Sequence, residues 1–439
     1  MLIILSRFKY NLNKGYDRKD LSCCKSNIIK DKKINPKKIK SDNMQKVKID
    51  LKEIAEECFV NKSLIEKVEE NNLIKIHYYG KSPRNTPKPM ILPKQINIDE
   101  EFVENIGMYI GDGTLSPKRK QTEFTTIDID MAKKYLRFLR KTFNLAIDDM
   151  TFIVKYRRGR KREVKKKWAN ILEIPEKKII AKKENKYKIQ ENMAIIVNSI
   201  IFTFLFKKII EKLLPIIKEN PKLRKAFLRG EFASDGKFVI EKDIKTYYIS
   251  EITFCFNYKK ELWLKNYLIS CLKLEGMSKI NTNRPGFIRI TGWDNYFKLW
   301  QMRIFDCCQR KKNKFLFTLR QSHIYPIIGS DVINSIVNSI NLQKKVIANK
   351  ININRTNLFR VLKGKQLLTI EQFNNLTQLI NKSPKNFYNQ MNGIRIGKIT
   401  YLPFSKKFID FIIKEKFNGG DKIANCENKA SGERSEEVR

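Results

Sequence analysis

Apolar residues recur every three to four positions from Val47 to Ile76 (Leu51, Ile54, Ala55, Phe59, Leu64, Ile65, Val68). That period predicts two short helices joined near Asn61, followed by a strand over Leu73–Tyr79. A small helix-turn-helix with a wing and a plain helical hairpin both fit. Four prolines between Pro83 and Pro93 predict a linker.

Residues 100–325 then carry one plan written twice. The first copy opens with an apolar helix over Glu101–Asp112 and a strand pair around Leu115–Ile127 turning at Ser116-Pro117. A helix over Asp130–Asn144, a strand over Met150–Arg157, a very basic insert over Arg158–Lys167, further short strands and a helix near Asn198–Leu214 complete it. The second copy opens with Lys222–Asp235. Strands near Phe238–Ile240 and Tyr247–Phe256, a helix over Lys259–Leu274, strands near Lys279 and Phe287–Thr291, and a helix over Asp294–Cys307 follow. Alternation along Ser250–Asn257 and Phe287–Thr291 predicts sheets with one face on helices and one polar, basic face. On that face the candidate groove contacts are Lys155, Arg157, Thr253 and Arg289.

Residues 330–380 read as four helices: Asp331–Ile340, Lys344–Lys350, Arg355–Leu362 and Ile370–Ile380. The middle two look like a phage-repressor type helix-turn-helix, whose second helix carries Arg355, Asn357 and Arg360 toward bases or phosphates. Any small helical domain has a similar period. The fold class is therefore α+β. Its expected domains are a basic arm (1–46), a small helical, winged-like domain with linker (47–98), repeat one (99–214), repeat two (215–325), a helix-turn-helix-like domain (326–385) and a tail (386–439).

Composition narrows the partners. The 439 residues hold 89 Lys and Arg against 46 Asp and Glu, a net charge of +43 spread along the whole chain. A surface of that sign attracts polyanions, with double-stranded DNA the leading candidate. The longest apolar stretch, Met193–Phe206, is too short to span a bilayer, so no membrane partner is expected. Eight cysteines include no C-x-x-C pair, which predicts reduced thiols in an intracellular, reducing compartment. Two histidines argue against nucleases that hold a metal with paired imidazoles, and no Walker loop is present.

The candidate chemistry lies where the two copies match. Asn105-Ile106-Gly107-Met108-Tyr109-Ile110-Gly111-Asp112-Gly113 and Leu228-Arg229-Gly230-Glu231-Phe232-Ala233-Ser234-Asp235-Gly236 both place small residues four apart before Asp-Gly. Small residues at that spacing let helix backbones approach, and the final glycines suit a left-handed helix end. An aspartate at a helix C-terminus is disfavoured by about 0.3–1 kcal/mol. Two such carboxylates side by side repel, and a divalent cation between them reverses both penalties. With oxygen ligands and few histidines the expected ion is Mg²⁺.

This twin motif resembles that of the LAGLIDADG homing endonucleases in their single-chain form, over about residues 100–325. The resemblance implies two pseudo-symmetric αββαββα repeats forming a DNA-binding saddle, and a monomer with internal twofold symmetry. It implies Mg²⁺-dependent hydrolysis of DNA at a long site, with Asp112 and Asp235 as metal ligands beside Gly113 and Gly236. It also implies a basic residue late in each repeat: Lys311 or Lys312 in the second (Lys312 preferred), and Lys218 or Lys222 in the first (Lys218 preferred). The alternative is a silent relative of the same fold that assists intron RNA folding or regulates by binding DNA.

Overall fold

A computed structural model describes residues 47–59, 63–68, 72–78, 87–116, 119–184, 190–243, 246–401 and 405–417. The expected basic arm, 1–46, lies outside them. The chain divides into two compact units, one holding residues up to Gly230 with Lys259–Leu264, the other Glu231–Tyr258 with everything from Lys265 onward. The class is α+β. No helix among the described residues is long and apolar enough to cross a membrane.

The first unit begins with β1 (Val47–Asp50), α1 (Leu51–Cys58), β2 (Ser63–Val68), β3 (Leu73–Tyr78), β4 (Met90–Pro93) and β5 (Gln95–Ile98). The winged helical reading is corrected here. Ser63–Val68 is a strand paired with β3 in a hairpin, with Asn72 at φ 54°, and β4 pairs with β3 where a linker was expected. Asp50 caps α1 by accepting from the amides of Lys52 and Glu53, and α1 packs on α5 (Ile200–Glu219).

The region expected as two copies follows. Its first copy runs α2 (Glu100–Asp112), β6 (Gly113–Ser116), β7 (Gln121–Thr126), α3 (Ile129–Phe143), β8 (Met150–Tyr156), α4 (Lys161–Leu172), β9 (Ile179–Lys183), β10 (Asn192–Val197) and α5. The sheet order is β6-β7-β10-β8-β9. The second copy runs α6 (Pro221–Asp235), β11 (Gly236–Asp243), β12 (Thr246–Cys255), α7 (Leu262–Leu274), β13 (Ile280–Asn281), β14 (Phe287–Ile290), α8 (Trp293–Gln301) and α9 (Gln309–Gln321), with order β11-β12-β14-β13. Counted along the chain without β9, both sheets are ordered first-second-fourth-third. The first has one strand more, β9, added parallel to β8 through α4. The basic insert is thus a helix on a sheet edge.

The aromatic cores are separate. Tyr109, Tyr135, Phe138, Phe143 and Phe206 pack ring against ring in the first unit. Phe232, Phe238, Phe305 and Phe315 do so in the second.

The last part of the second unit is a sheet with helices inserted in it. β15 (Ile324–Ile328) pairs with β16 (Met391–Ile396), which pairs with β17 (Ile399–Tyr401). Between β15 and β16 lie α10 (Ser330–Ser339), α11 (Lys344–Lys350), α12 (Arg355–Leu362) and α13 (Ile370–Gln378). Residues 391–417, expected as tail, are folded as well. α14 (Lys406–Phe417) buries Phe408 and Phe411 against Trp293, Phe297 and Trp300 of α8.

Candidate nucleic-acid interface

The motif helices pack as tightly as their small residues suggest, at one point that is plain within the first unit. A Cβ on Gly230 would lie 2.8 Å from the backbone nitrogen of Met108 and 3.0 Å from the carbonyl carbon of Glu104, so α6 and α2 touch backbone to backbone. Beside that contact Arg229, buried, donates from Nε to Glu104 at 2.5 Å and from Nη2 to Glu100 at 2.6 Å. Lys134 of α3 pairs with the same Glu104. Burial alone would raise the Glu104 carboxyl, but Lys134 and Arg229 outweigh it and hold it below the usual range.

The glycines after the two aspartates are not left-handed. Gly113 sits at φ −88°, ψ 159° and opens β6, and Gly236 opens β11 opposite Phe254. Their smallness serves packing. A Cβ on Gly113 would lie 2.5 Å from the Tyr109 ring, and one on Gly236 would meet the Phe232 ring closer still. An aromatic four residues earlier folds over each.

Asp112 and Asp235 end α2 and α6 half exposed. In the second unit the charge problem at the α6 terminus is solved by a side chain. Lys311 of α9, 7% exposed, donates to the carbonyls of Phe232 (2.8 Å), Ala233 (2.6 Å) and Ser234 (3.0 Å). A fixed ammonium on the last carbonyls of a helix complements the negative end of its dipole. Lys311 thus supplies a positive charge at the end of α6, on the three carbonyls that precede Asp235.

Of the two lysines expected in that place, Lys312 turns elsewhere. It donates to Asp306 at 2.8 Å and lies over Trp300. In the first unit Lys218 is half buried near the end of α5, its carbonyl accepting from Arg224, and Lys222 is exposed in the first turn of α6.

The expected sheet contacts divide. Lys155 is half exposed on β8, level with Lys182 of β9, and Arg157 follows it. Thr253 is a correction: it is 2% exposed, level with Lys237 on one side and Arg289 on the other, whose long side chains flank it. Arg289 is corrected too. It donates from Nε to Glu251 at 2.6 Å and from Nη2 to the other carboxylate oxygen, so its fork is closed on an acid of its own sheet.

The inserted helices present the opposite situation. α11 and α12 are joined by Ile351–Asn354 with Asn352 at φ 57°, and Asn354 caps α12 by accepting from the amide of Asn357. Ile347, Ala348, Leu358 and Val361 are buried between the helices, while Arg355, Thr356, Phe359 and Arg360 share the exposed face of α12. Asn357, an expected contact, is half turned toward the core. Thr356 and Phe359 were missed, although the spacing 355, 356, 359, 360 marks one helix face. Phe359 is 38% exposed, with Arg355 5.5 Å and Lys344 5.7 Å from its ring centre.

No family model matches this chain, and no curated protein does. Among solved structures, the full-length DUF199/WhiA from Thermatoga maritima is similar over 61% of this chain and 90% of its own, at 13% identity and a TM-score of 0.29. The expected homing-endonuclease membership does not stand. No family model carries the twin motif into that family, and the structural likeness falls on a differently described protein. A likeness of that size assigns no activity.

Proposed function

We propose that this protein binds double-stranded DNA through α11 and α12, and acts by occupying a site. The exposed face of α12 carries the reading. A short helix, capped by Asn354 and seated on Ile347 and Ala348, presents Arg355, Thr356, Phe359 and Arg360 outward. Arginine forks match the guanine edge in the major groove, and an apolar group matches the thymine methyl. The excess of basic residues supplies the non-specific attraction that such a helix needs to find a site.

The test is selection of bound duplexes from a random pool by the full chain, followed by anisotropy titration of the enriched sequence. Arg355→Gln with Arg360→Gln is expected to weaken the enriched duplex by at least about 30-fold more than a scrambled one, at about 1–3 kcal/mol for each of the two lost base contacts. Enrichment of no sequence would sink the reading. Incubating the enriched duplex with Mg²⁺ adds an independent check. Strand cleavage lost in Asp112→Asn would replace site occupation by hydrolysis.

A further inference from the structure

We propose that the insert of the first unit, the loop Arg158–Arg160 with α4 and β9, is a second DNA-contact surface, one that holds the phosphate backbone of a duplex without reading its bases. The inference rests on the DNA-binding reading above and adds to it a surface on a different unit.

Residues 155–167 hold nine basic side chains (Lys155, Arg157, Arg158, Arg160, Lys161, Arg162, Lys165, Lys166, Lys167) and one acid, Glu163. α4 buries Val164, Trp168, Ala169 and Leu172, half exposes Lys165 and Ile171, and exposes the rest. Lys167 is tied to Glu191 at 2.6 Å and Arg160 lies 3.9 Å from Glu163. Among the described residues, Arg158, Lys161, Arg162, Lys165 and Lys166 have no acidic partner.

This arrangement works against the fold. Lys161 and Arg162 stand in the first turn of α4, where the dipole disfavours cations. Lys161 with Lys165, and Arg162 with Lys166, are like charges one turn apart. Lys155 and Lys182 are opposite one another on paired strands. The second sheet keeps the same strand order with nothing added at the corresponding edge, so the fold does not require this element. Unpaired charges placed against these local preferences indicate an anion bound from outside.

The anion's form follows from what the surface lacks. The apolar side of α4 is buried, so it cannot lie in a membrane interface. Ile180 is the one large apolar side chain exposed on the described residues of this insert. Protein interfaces are built around aromatic anchors and are depleted in lysine. A line of lysines on flexible stems suits a row of phosphates, as point charges without base preference.

The experiment compares salt dependence. Each phosphate contact contributes about 0.9 to the slope of log affinity against log salt on duplex DNA. The variant Lys161→Gln, Arg162→Gln, Lys165→Gln, Lys166→Gln is expected to lower the slope by about 2–4 on enriched and scrambled duplexes alike. The fourfold lysine-arginine exchange that keeps charge (Lys161→Arg, Arg162→Lys, Lys165→Arg, Lys166→Arg) is expected to retain the wild-type slope. An unchanged slope in the neutral variant, with wild type still binding DNA, would overturn this inference alone. Failure of the wild type to bind any duplex would overturn the DNA-binding reading itself. A slope lost on duplex RNA but not on duplex DNA would show the wrong polyanion was chosen.

Discussion

Phe359 offers a sharp test of how α12 meets DNA. Its ring is 38% exposed between Arg355 and Lys344. An aromatic side chain covers about 200 Å² in all, so about 75 Å² of ring remains to be buried by a partner. At about 25 cal/mol per Å² that surface can contribute up to about 2 kcal/mol to binding. One thymine methyl against the ring accounts for about 0.8 kcal/mol of it, close to a fourfold change in affinity.

The perturbation is applied to both partners. Anisotropy titrations would pair wild type and Phe359→Ala with the enriched duplex and with the same duplex carrying uracil for thymine. Uracil keeps base pairing and removes only the methyl. Truncating the ring also frees Arg355 and Lys344 from their contacts with it, worth about 0.5–1 kcal/mol each at an exposed site, so the single variant alone would mislead. The double-mutant cycle removes that contribution. Wild type is expected to lose about fourfold on uracil DNA, and Phe359→Ala to lose nothing further. Equal losses in both proteins would refute the contact between ring and methyl.

Three further outcomes follow from the packing. Gly230→Ala drives a methyl into the backbone of α2 at Glu104 and Met108, which cannot move aside as a side chain could. A loss of about 2–4 kcal/mol in denaturant unfolding is expected, and a loss under 0.5 would contradict the backbone contact. Glu104 bridges Arg229 and Lys134 with its carboxyl held below the usual range of about 4.5. A lowered folded pKa contributes stability above pH 4.5 that is lost as pH falls below it, so acid melting of wild type should steepen there and that of Glu104→Gln should be flatter. The same variant leaves buried Arg229 short of a partner, at about 3 kcal/mol near neutral pH. Lys311→Met uncovers the carbonyls of Phe232, Ala233 and Ser234, and a melting point unchanged from wild type would disprove its role as the cap of α6.

How legible these features were depends on the range over which each is determined. α10 to α13 bury Ile333, Ile347, Leu358, Val361 and Phe373 at helical spacing, so each helix is readable from its own residues. Leu64, Ile65 and Val68 fit a helix or a strand equally. What decides is a partner strand beyond a turn at Asn72, which no local period contains. Prolines suggested a linker over Pro83–Pro93, yet β4 lies at a sheet edge, where Pro93 can oppose Leu73 without breaking a ladder. Met391, Ile394 and Ile396 seemed part of a tail because their partner, β15, precedes them by more than 60 positions. Lys311 was one lysine among many. Its signal was its place on α9, four residues before Phe315 and eight before Leu319, both buried, which put an ammonium where a core side chain belongs.

The same residue also marks a difference between the surroundings of the two motif helices. Asp112 and Asp235 end α2 and α6 in the same way by sequence. α5 and α9 pack on corresponding strands, β6 and β7 in one copy, β11 and β12 in the other. Their third residues differ in kind, however: Phe202 is buried and apolar, whereas Lys311 is a cation bound to the end of α6. The two sheets share a strand order, but the helices packed on them do not share this cation. Cations left without acids are instead found on the outer faces of α4 and α12. A polyanion is the partner that relieves both, and measuring each face's share of the salt slope separates a helix that reads a sequence from one that only holds the backbone.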